Sequence, residues 1–393
     1  MNLNILHVTP AYYPATYWGG PTFSVYGLNN ALSRLPNVAL KVITTDTAGP
    51  KLADRIDANG IDRRIFPNQE VIFTRRIAGK SVSIDLLRKL PALIIWADVV
   101  HLTSTYSFPT LPSLALCRLF DKPLVWSPRG AIQDAYEWDG APRQRLKRLW
   151  EMICNALIRQ GRVVMHTTAV RERVATEARI AKAKAVIVPN GVDVLPVLPQ
   201  REWLSGGQLR LMFLGRLSQK KGVENLLRAL KLLGDPSISL AIYGTGERNY
   251  VSSLYALADE LGLTGSVSFL GEVTGVEKSA AFHVADVCVV PSYTENFCMV
   301  VAEALAHGVP VIASKGTPWN ELEDRQCGLW VDNSPESLAH AIDEVRRMPL
   351  AEMGQRGWGW MAKEYSWAAV ADGMMDVYRA LLPARTSGNV TGV

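Results

Sequence analysis

The sequence predicts an α/β protein built of two doubly wound, Rossmann-like domains in tandem, facing a central cleft. Three observations predict it. Short apolar runs recur along the 393 residues, helical patterns separate many of them, and a Pro/Gly-rich stretch from Leu195 to Gly207 interrupts the alternation near the middle. Strands that alternate with helices over roughly 20–40 residues indicate parallel sheets. With 48% hydrophobic and 20% charged residues the chain is not of the disordered class.

Taken in order, the first strand is Asn4–Thr9, followed by a loop rich in turn residues from Pro10 to Pro21 that contains Gly19-Gly20. A helical pattern covers Thr22–Leu35. Apolar runs at Ala39–Thr44, Val71–Thr74, Val99–Leu102, Leu124–Ser127, Val163–Thr167 and Ala185–Val188 complete the first sheet. Pro189-Asn190-Gly191-Val192-Asp193 ends it, and Leu195–Gly207 reads as a linker. The second series has strands at Arg210–Leu214, Leu240–Tyr243, Val267–Leu270, Val287–Val290, Val309–Ala313 and Gly328–Val331. Its helices are Val223–Leu233, Tyr250–Leu261, Glu277–Val284, Met299–His307 and Pro335–Arg346. The expected domains are residues 1–195 and 205–365, with a C-terminal helix over 366–383 packing back toward the first domain and a frayed tail from Ser387.

Several function classes are excluded at this level. The most apolar run, Leu90 to Ala97, contains a proline and stops at Asp98, short of the ~20 residues of a membrane span. The first residues lack the basic region and apolar stretch of a secretory signal. The five cysteines (117, 154, 288, 298, 327) include no C-x-x-C pair, which argues against a disulfide scaffold or a zinc site and predicts a reducing, cytoplasmic setting. Charge is uneven: residues 1–200 carry 25 Lys and Arg against 15 Asp and Glu, and the remainder 17 against 22. The basic half suits an anionic partner. Nucleic acid is disfavoured, because no aromatic platform or binding motif accompanies the basic stretches.

Two segments carry candidate chemistry. In Leu214-Gly215-Arg216-Leu217-Ser218-Gln219-Lys220-Lys221-Gly222 a strand ends, cations follow, and a helix begins. Fixed positive charge beside free backbone N–H groups suits a diphosphate, although a solvated basic turn would look the same. It is not a Walker loop, since the Gly-Lys-Ser/Thr ending is missing. In Pro291-Ser292-Tyr293-Thr294-Glu295-Asn296-Phe297-Cys298-Met299 a strand runs through a loop into the helix that carries Glu303. Free N–H groups near Phe297, Cys298 and Met299 would open that helix, and Glu295 and Glu303 are either hydroxyl acceptors or ordinary solvated carboxylates.

Together these segments resemble the retaining GT-B glycosyltransferases of family 4, the group 1 sugar transferases, over nearly the whole chain. The resemblance rests on Gly19-Gly20, the Pro189–Asp193 motif, Gly215-Arg216 with Lys221-Gly222, Gly244-Thr245-Gly246, and Glu295 and Glu303 with Asn296-Phe297 between them. It implies that the first domain binds the acceptor and the second the nucleotide-sugar, that Arg216 and Lys221 hold the diphosphate of that nucleotide-sugar, that Glu295 binds donor-sugar hydroxyls, and that Glu303 binds the ribose. It further implies that the Phe297–Met299 backbone binds sugar and phosphate oxygens, that Gly244 and Gly246 approach the nucleotide, that Glu272-Val273 lie near the base, and that Gly20 meets the diphosphate on closure. No cofactor and no metal are expected, in keeping with the absence of an Asp-x-Asp site.

One departure stands out. Where many family members carry a histidine, this chain has Ser127-Pro128-Arg129-Gly130. Arg129 is a candidate donor or acceptor contact but no general base at neutral pH, and His101 is a candidate replacement if it is not structural. Trp319 is expected either to stack on a sugar or base or to pack beneath a helix. The segment Arg143–Arg162 reads as a basic amphipathic helix, either resting on anionic lipid or turning its apolar stripe to the core. The expected function is sugar transfer to a saccharide or polyprenyl-linked acceptor in surface-polysaccharide assembly, with peripheral contact at the inner face of the membrane. Two alternatives stay open: a catalytically silent polysaccharide-binding subunit and a nucleotide-sugar epimerase. A nicotinamide enzyme is disfavoured because Gly244-Thr245-Gly246-Glu247-Arg248-Asn249 lacks the third fingerprint glycine.

Overall fold

The computed structural model describes residues 3–57, 68–132 and 144–382. The expected tail from Ser387 lies outside them, as does Arg143 at the start of the basic segment. The chain divides into two compact units, Met1–Pro189 with Val370–Val393, and Asn190–Ala369.

In the first unit β1 (Leu3–Val8), α1 (Gly20–Ser33), β2 (Val38–Thr45), β3 (Gln69–Thr74), α2 (Ile84–Trp96), β4 (Val99–Thr103), α3 (Thr110–Leu119), β5 (Leu124–Ser127), α4 (Gln144–Leu157), β6 (Val163–Thr167), α5 (Val170–Arg179) and β7 (Lys184–Ile187) alternate. Their strands form one seven-stranded sheet in the order β3-β2-β1-β4-β5-β6-β7, and every pairing in it is parallel. Parallel strands are covered on both faces, which is why they read as unbroken apolar runs. Leu6, Val8, Val100, Leu102 and Trp126 pack with Leu86, Leu90 and Ile94 of α2 on one face. The strand order reverses between β1 and β4, where His7 and His101 are direct register partners.

In the second unit β8 (Leu209–Leu214), α6 (Val223–Leu233), β9 (Ile238–Tyr243), α7 (Arg248–Glu260), β10 (Val267–Gly271), α8 (Gly275–Val284), β11 (Val287–Val290), α9 (Met299–Ala306), β12 (Val311–Ser314), β13 (Gly328–Val331), α10 (Pro335–Val345) and α11 (Leu350–Trp360) follow, before α12 (Trp367–Leu381). The six parallel strands are ordered β10-β9-β8-β11-β12-β13, so the reversal lies between β8 and β11. Leu211 and Phe213 pack with α6 on one side of the sheet, and Met212 packs with α9 residues on the other.

Two expectations change. The stretch Leu195–Gly207 is not a loose linker: Arg201 donates to the Ala285 and His307 carbonyls at 3.0 and 2.8 Å, and Trp358 Nε1 donates to Leu195 O at 2.8 Å. The second unit accordingly begins at Asn190, with Val192 N bonded to Tyr365 O at 2.8 Å. Helix α11 adds an element that the helical patterns above do not include. The last helix runs Trp367–Leu381, and its residues from Val370 belong to the first unit.

Candidate active site

Open α/β sheets bind ligands at the carboxyl ends of strands, where the strand order reverses. In the second unit that place is flanked by the loop after β8, residues 215–222, and the loop after β11, residues 291–298. The two loops are joined. Tyr293 N donates to Lys220 O at 2.8 Å, and the Lys221 ammonium forms an ion pair with Glu295 Oε1. The same carboxylate oxygen accepts from Ser292 Oγ at 2.9 Å, and Glu295 N donates to Gly316 O at 2.9 Å, in the loop after β12. Burial pulls the Lys221 pKa down, but Glu295 outweighs it with help from Cys298, and the ammonium titrates above its ordinary value. Lys221 is therefore a held, charged group. The residue types expected for two separate tasks form one electrostatic unit.

Arg216, exposed in the same loop, adds a second cation whose field is felt at Lys221. Gly244 and Gly246 brace this loop: a Cβ on Gly244 would lie 1.9 Å from Gly215 O, and one on Gly246 would lie 2.0 Å from Leu217 O. Their small size is thus required by the chain's own packing. Gly244 N also donates to Gly271 O at 2.6 Å, which brings Glu272 and Val273, just past β10, beside the same strand ends.

Helix α9 starts at Met299, preceded by Cys298 in a left-handed conformation (φ 67°, ψ 73°). A non-glycine residue there stores roughly 1–3 kcal/mol of strain, which the surroundings must hold. Trp319 does this: its Nε1 donates to Phe297 O at 2.6 Å, and its ring meets Phe297 edge-on, with centroids 5.3 Å apart. Trp319 is 2% exposed, which favours the second of its two expected roles, packing, over stacking on a ligand. Phe297 and Cys298 are buried as well, and their side chains serve the loop rather than a ligand. Asn296 and Met299 are partly exposed at the helix start, whose first N–H groups lack intrahelical partners and favour anions. Glu303, one turn on, pairs with Lys278 Nζ at 2.8 Å. Ser292 and Lys278 had not been singled out from the sequence.

In the first unit Gly19 caps α1 and Gly20 is its first residue, at the carboxyl end of β1. Beneath lies a buried histidine relay. His166 Nε2 is 2.9 Å from Val188 O, which can only accept, so its Nδ1 accepts the Ser127 hydroxyl at 2.7 Å. Ser127 Oγ must then accept from His101 Nε2 at 2.6 Å, and His101 Nδ1 accepts the Tyr378 hydroxyl at 2.6 Å. His7 stacks on His101 at 4.4 Å and bonds Asn29 Oδ1 and Thr103 Oγ1 at 2.7 and 2.8 Å. Both ring nitrogens of His101 are committed and the residue has no exposed surface, which corrects its candidate auxiliary role to a structural one. Arg129, half-buried at φ 54°, feels Glu172 and Tyr378, and burial lowers its pKa to about 10. Glu172 accepts from Gly130 N at 2.6 Å and anchors that loop.

Helix α4 turns an unexpected face inward. Glu151 is buried, bonded to the Tyr106 hydroxyl and to Arg179 Nη2 at 2.7 Å, and Trp150 Nε1 donates to Thr105 O at 2.9 Å. Part of the apolar stripe points outward: Leu146 is 62% and Met152 61% exposed, with Leu149, Ile153 and, at the end of α3, Leu119 also exposed. Exposed Arg145, Arg148 and Arg159 rim this face. Trp150 and Leu157 of the same stripe pack against the core beside Cys154, so the core-facing alternative holds for that part of the helix. Among the described residues no helix is long and apolar enough to cross a membrane.

Two family models tile the chain: Glycosyltransferase Family 4 over residues 18–194 and Glycosyl transferases group 1 over residues 199–360. The chain spans about half the length of the first curated relatives it matches, 47–59%. One of these, a D-inositol 3-phosphate glycosyltransferase of Corynebacterium jeikeium, is 34% identical over 51% of this chain and 53% of its own. The same-named protein of Corynebacterium aurimucosum is 27% identical over 95% of this chain and 94% of its own. The solved structure of Anabaena HepE in complex with UDP superposes with a TM-score of 0.71 at 17% identity, covering 97% of this chain and 100% of that one. With both family models in order along two parallel-sheet units, and cations and carboxylates at the strand reversal of the second, the chain belongs to the GT-B glycosyltransferases of family 4, the group 1 sugar transferases.

Proposed function

We propose that this protein is a retaining glycosyltransferase that moves a sugar from a nucleotide-sugar to a saccharide or lipid-linked saccharide in surface-polysaccharide assembly. The observation that carries the donor half is the Lys221–Glu295 pair at the β8/β11 reversal. Arg216 and Lys221 would neutralise the departing diphosphate, with the α9 start adding N–H groups. Glu295 and Glu303 would accept from sugar and ribose hydroxyls. As the leaving group departs, an acceptor hydroxyl attacks the oxocarbenium-like carbon from the same face and passes its proton to the departing diphosphate oxygen, which retains the anomeric configuration. The enzyme's contribution is then positioning and electrostatic preorganisation. Two cations take the charge-neutralising role of a divalent metal, so transfer is independent of metal and of any cofactor.

A thermal-shift panel of UDP, GDP and ADP, their hexose conjugates and NAD tests this reading. A nucleotide-sugar at 100 times its Kd stabilises by about 2.7 kcal/mol, a few degrees for units of this size. Transfer from that donor is expected to survive EDTA and to give product of the donor's own anomeric configuration by NMR. Response to NAD alone, or product of inverted configuration, would sink the proposal.

The acceptor half is supported by α4. An outward aliphatic stripe rimmed by arginines suits the headgroup boundary of an anionic bilayer, where a polyprenyl-linked acceptor resides, at the inner face of the cell membrane. The protein is expected to co-sediment with phosphatidylglycerol vesicles and not with phosphatidylcholine vesicles. Leu146→Asp with Leu149→Asp should abolish this. Equal binding by the double variant refutes the membrane contact.

A further inference from the structure

Each carboxylate of the candidate site is paired with a lysine from a different element. Glu295 pairs with Lys221, and Glu303 with Lys278 of α8, whose Nζ lies 2.8 Å from Oε1. The first pair stands at the strand reversal, where Lys221 meets the diphosphate. The second has no such explanation. Its side chains are 31% and 21% exposed, and an ion pair so accessible adds little to folding. Glu303 Oε2 has no partner among the described residues and is left as an open acceptor.

Helix α8 holds Glu303 at its main chain as well. The Glu303 carbonyl can only accept, so His307 Nδ1, 2.7 Å away, carries the ring proton, and Nε2 accepts from the Ser279 hydroxyl at 3.3 Å. The Phe282 ring stacks on His307 with centroids 4.8 Å apart. Ser279 adjoins Lys278, and Lys278 stands one turn into α8, shortly after Glu272-Val273 and the end of β10. Three side chains of one helix thus fix the position of a single carboxylate, more than a solvated glutamate on a helix surface requires.

A carboxylate fixed in this way has a chemical counterpart. The 2′ and 3′ hydroxyls of a ribose form a vicinal cis pair, and one carboxylate accepts from both only when its plane is set for them. Lys278 occupies one lone pair of Oε1 and leaves the other, with both on Oε2, for the two hydroxyls. It also offsets a negative charge that would otherwise face an anionic nucleotide.

We propose that Lys278 is a positioning residue that sets Glu303 for the ribose diol and thereby selects ribonucleotides over their deoxy forms. This deepens the transferase reading and rests on it.

The test is isothermal titration calorimetry of the full chain with UDP, GDP and ADP, and with the 2′-deoxy and 3′-deoxy forms of whichever binds. The unaltered chain should prefer the ribonucleotide about tenfold or more, the equivalent of a hydrogen bond to a charged group. Lys278→Met should lower that preference about fivefold, because the freed carboxylate turns to solvent. Lys278→Arg, which keeps a cation in reach, should hold it near the parent's. Glu303→Ala should remove the preference altogether, and adding Lys278→Met to it should change the ratio no further. The ratio isolates positioning, since lost charge or a loosened helix weakens ribo and deoxy forms alike. No preference in the unaltered chain, a Lys278→Met variant that keeps the parent's ratio, or a Lys278→Arg variant that behaves as Lys278→Met overturns the proposal. Nucleoside diphosphate binding itself reports on the transferase reading separately: its absence removes that reading, whereas binding without a ribose preference removes only the role of Lys278.

Discussion

Lys221→Ala is expected to lower sugar transfer by a factor of about 10³ or more, and Lys221→Ala combined with Glu295→Ala to lower it little further. Removing one preorganised group that meets developing charge costs about 10²–10³ in kcat. Lys221 is held by a carboxylate rather than waiting in solvent, so its removal has a second consequence. Glu295, whose side chain is 10% exposed, loses its cation and keeps only the Ser292 hydroxyl on that oxygen. Breaking a buried pair by deleting one partner is worse than deleting both. The two residues should therefore behave as one unit in a double-mutant cycle, with strongly non-additive effects. Glu295→Gln separates charge from shape: it keeps a hydrogen-bond acceptor for Lys221 and for a sugar hydroxyl, and should fall between the parent and Glu295→Ala. Initial rates with saturating donor, read beside a melting curve for each variant, make the measurement. Transfer at the parent's rate in Lys221→Ala, or additive losses in the cycle, would overturn the assignment.

What the sequence made legible follows from how each group announces itself. Strands β8 and β11 read clearly because parallel strands covered on both faces are continuous apolar runs, and the loops that follow them in the chain carry Lys221 and Glu295. The pairing of those two side chains was not legible, since they are 74 positions apart and only the strand reversal brings them together. Ser292 gives no local signal, because a serine after a strand is ordinary turn chemistry, and Lys278 resembles any helix-surface lysine. Helix α11 escaped notice because Gly354, Gly357 and Gly359 depress helix propensity. Tertiary packing overrides that: a Cβ on Gly354 would lie 2.2 Å from Gly308 O, so the helix approaches more closely than any side chain would permit. Helix α4 misled in the opposite sense. Its apolar stripe was legible, but periodicity does not say which face is buried, and Glu151 is drawn inward by Arg179 and Tyr106. The histidines carried a faint signal, each standing inside an otherwise apolar strand. Their mutual contact depends on the β1/β4 register.

That histidine relay sets the second large expectation: at pH 5.5 the first unit should be less stable than at pH 7.5, by a loss on the order of a few kcal/mol. Burial, opposed by the Asn29 bond, lowers the His7 pKa to about 3. Burial also holds His101 and His166 well below the ordinary imidazole value, with further lowering from neighbouring histidines and Arg129. The sign follows directly. Above pH 6.5 both folded and unfolded chains hold these rings neutral, and no differential exists. Below it the unfolded chain binds protons that the folded unit refuses, so stability falls as the pH falls. The hydrogen bonds explain the refusal. A second proton on His101 would sit at Nδ1, against the Tyr378 hydroxyl that donates there, 4.4 Å from the His7 ring and within the field of Arg129. In the second unit burial lowers the pKa of His307, one ring against three, so its loss should be correspondingly smaller. Hydrogen exchange read by peptide mass spectrometry resolves the two units in the intact chain. His101→Gln should cost stability at every pH and also reduce the acid slope of the first unit by one proton. A first unit whose protection is unchanged from pH 7.5 to 5.5 would mean that these rings accept protons in place, and the relay would have to be redrawn.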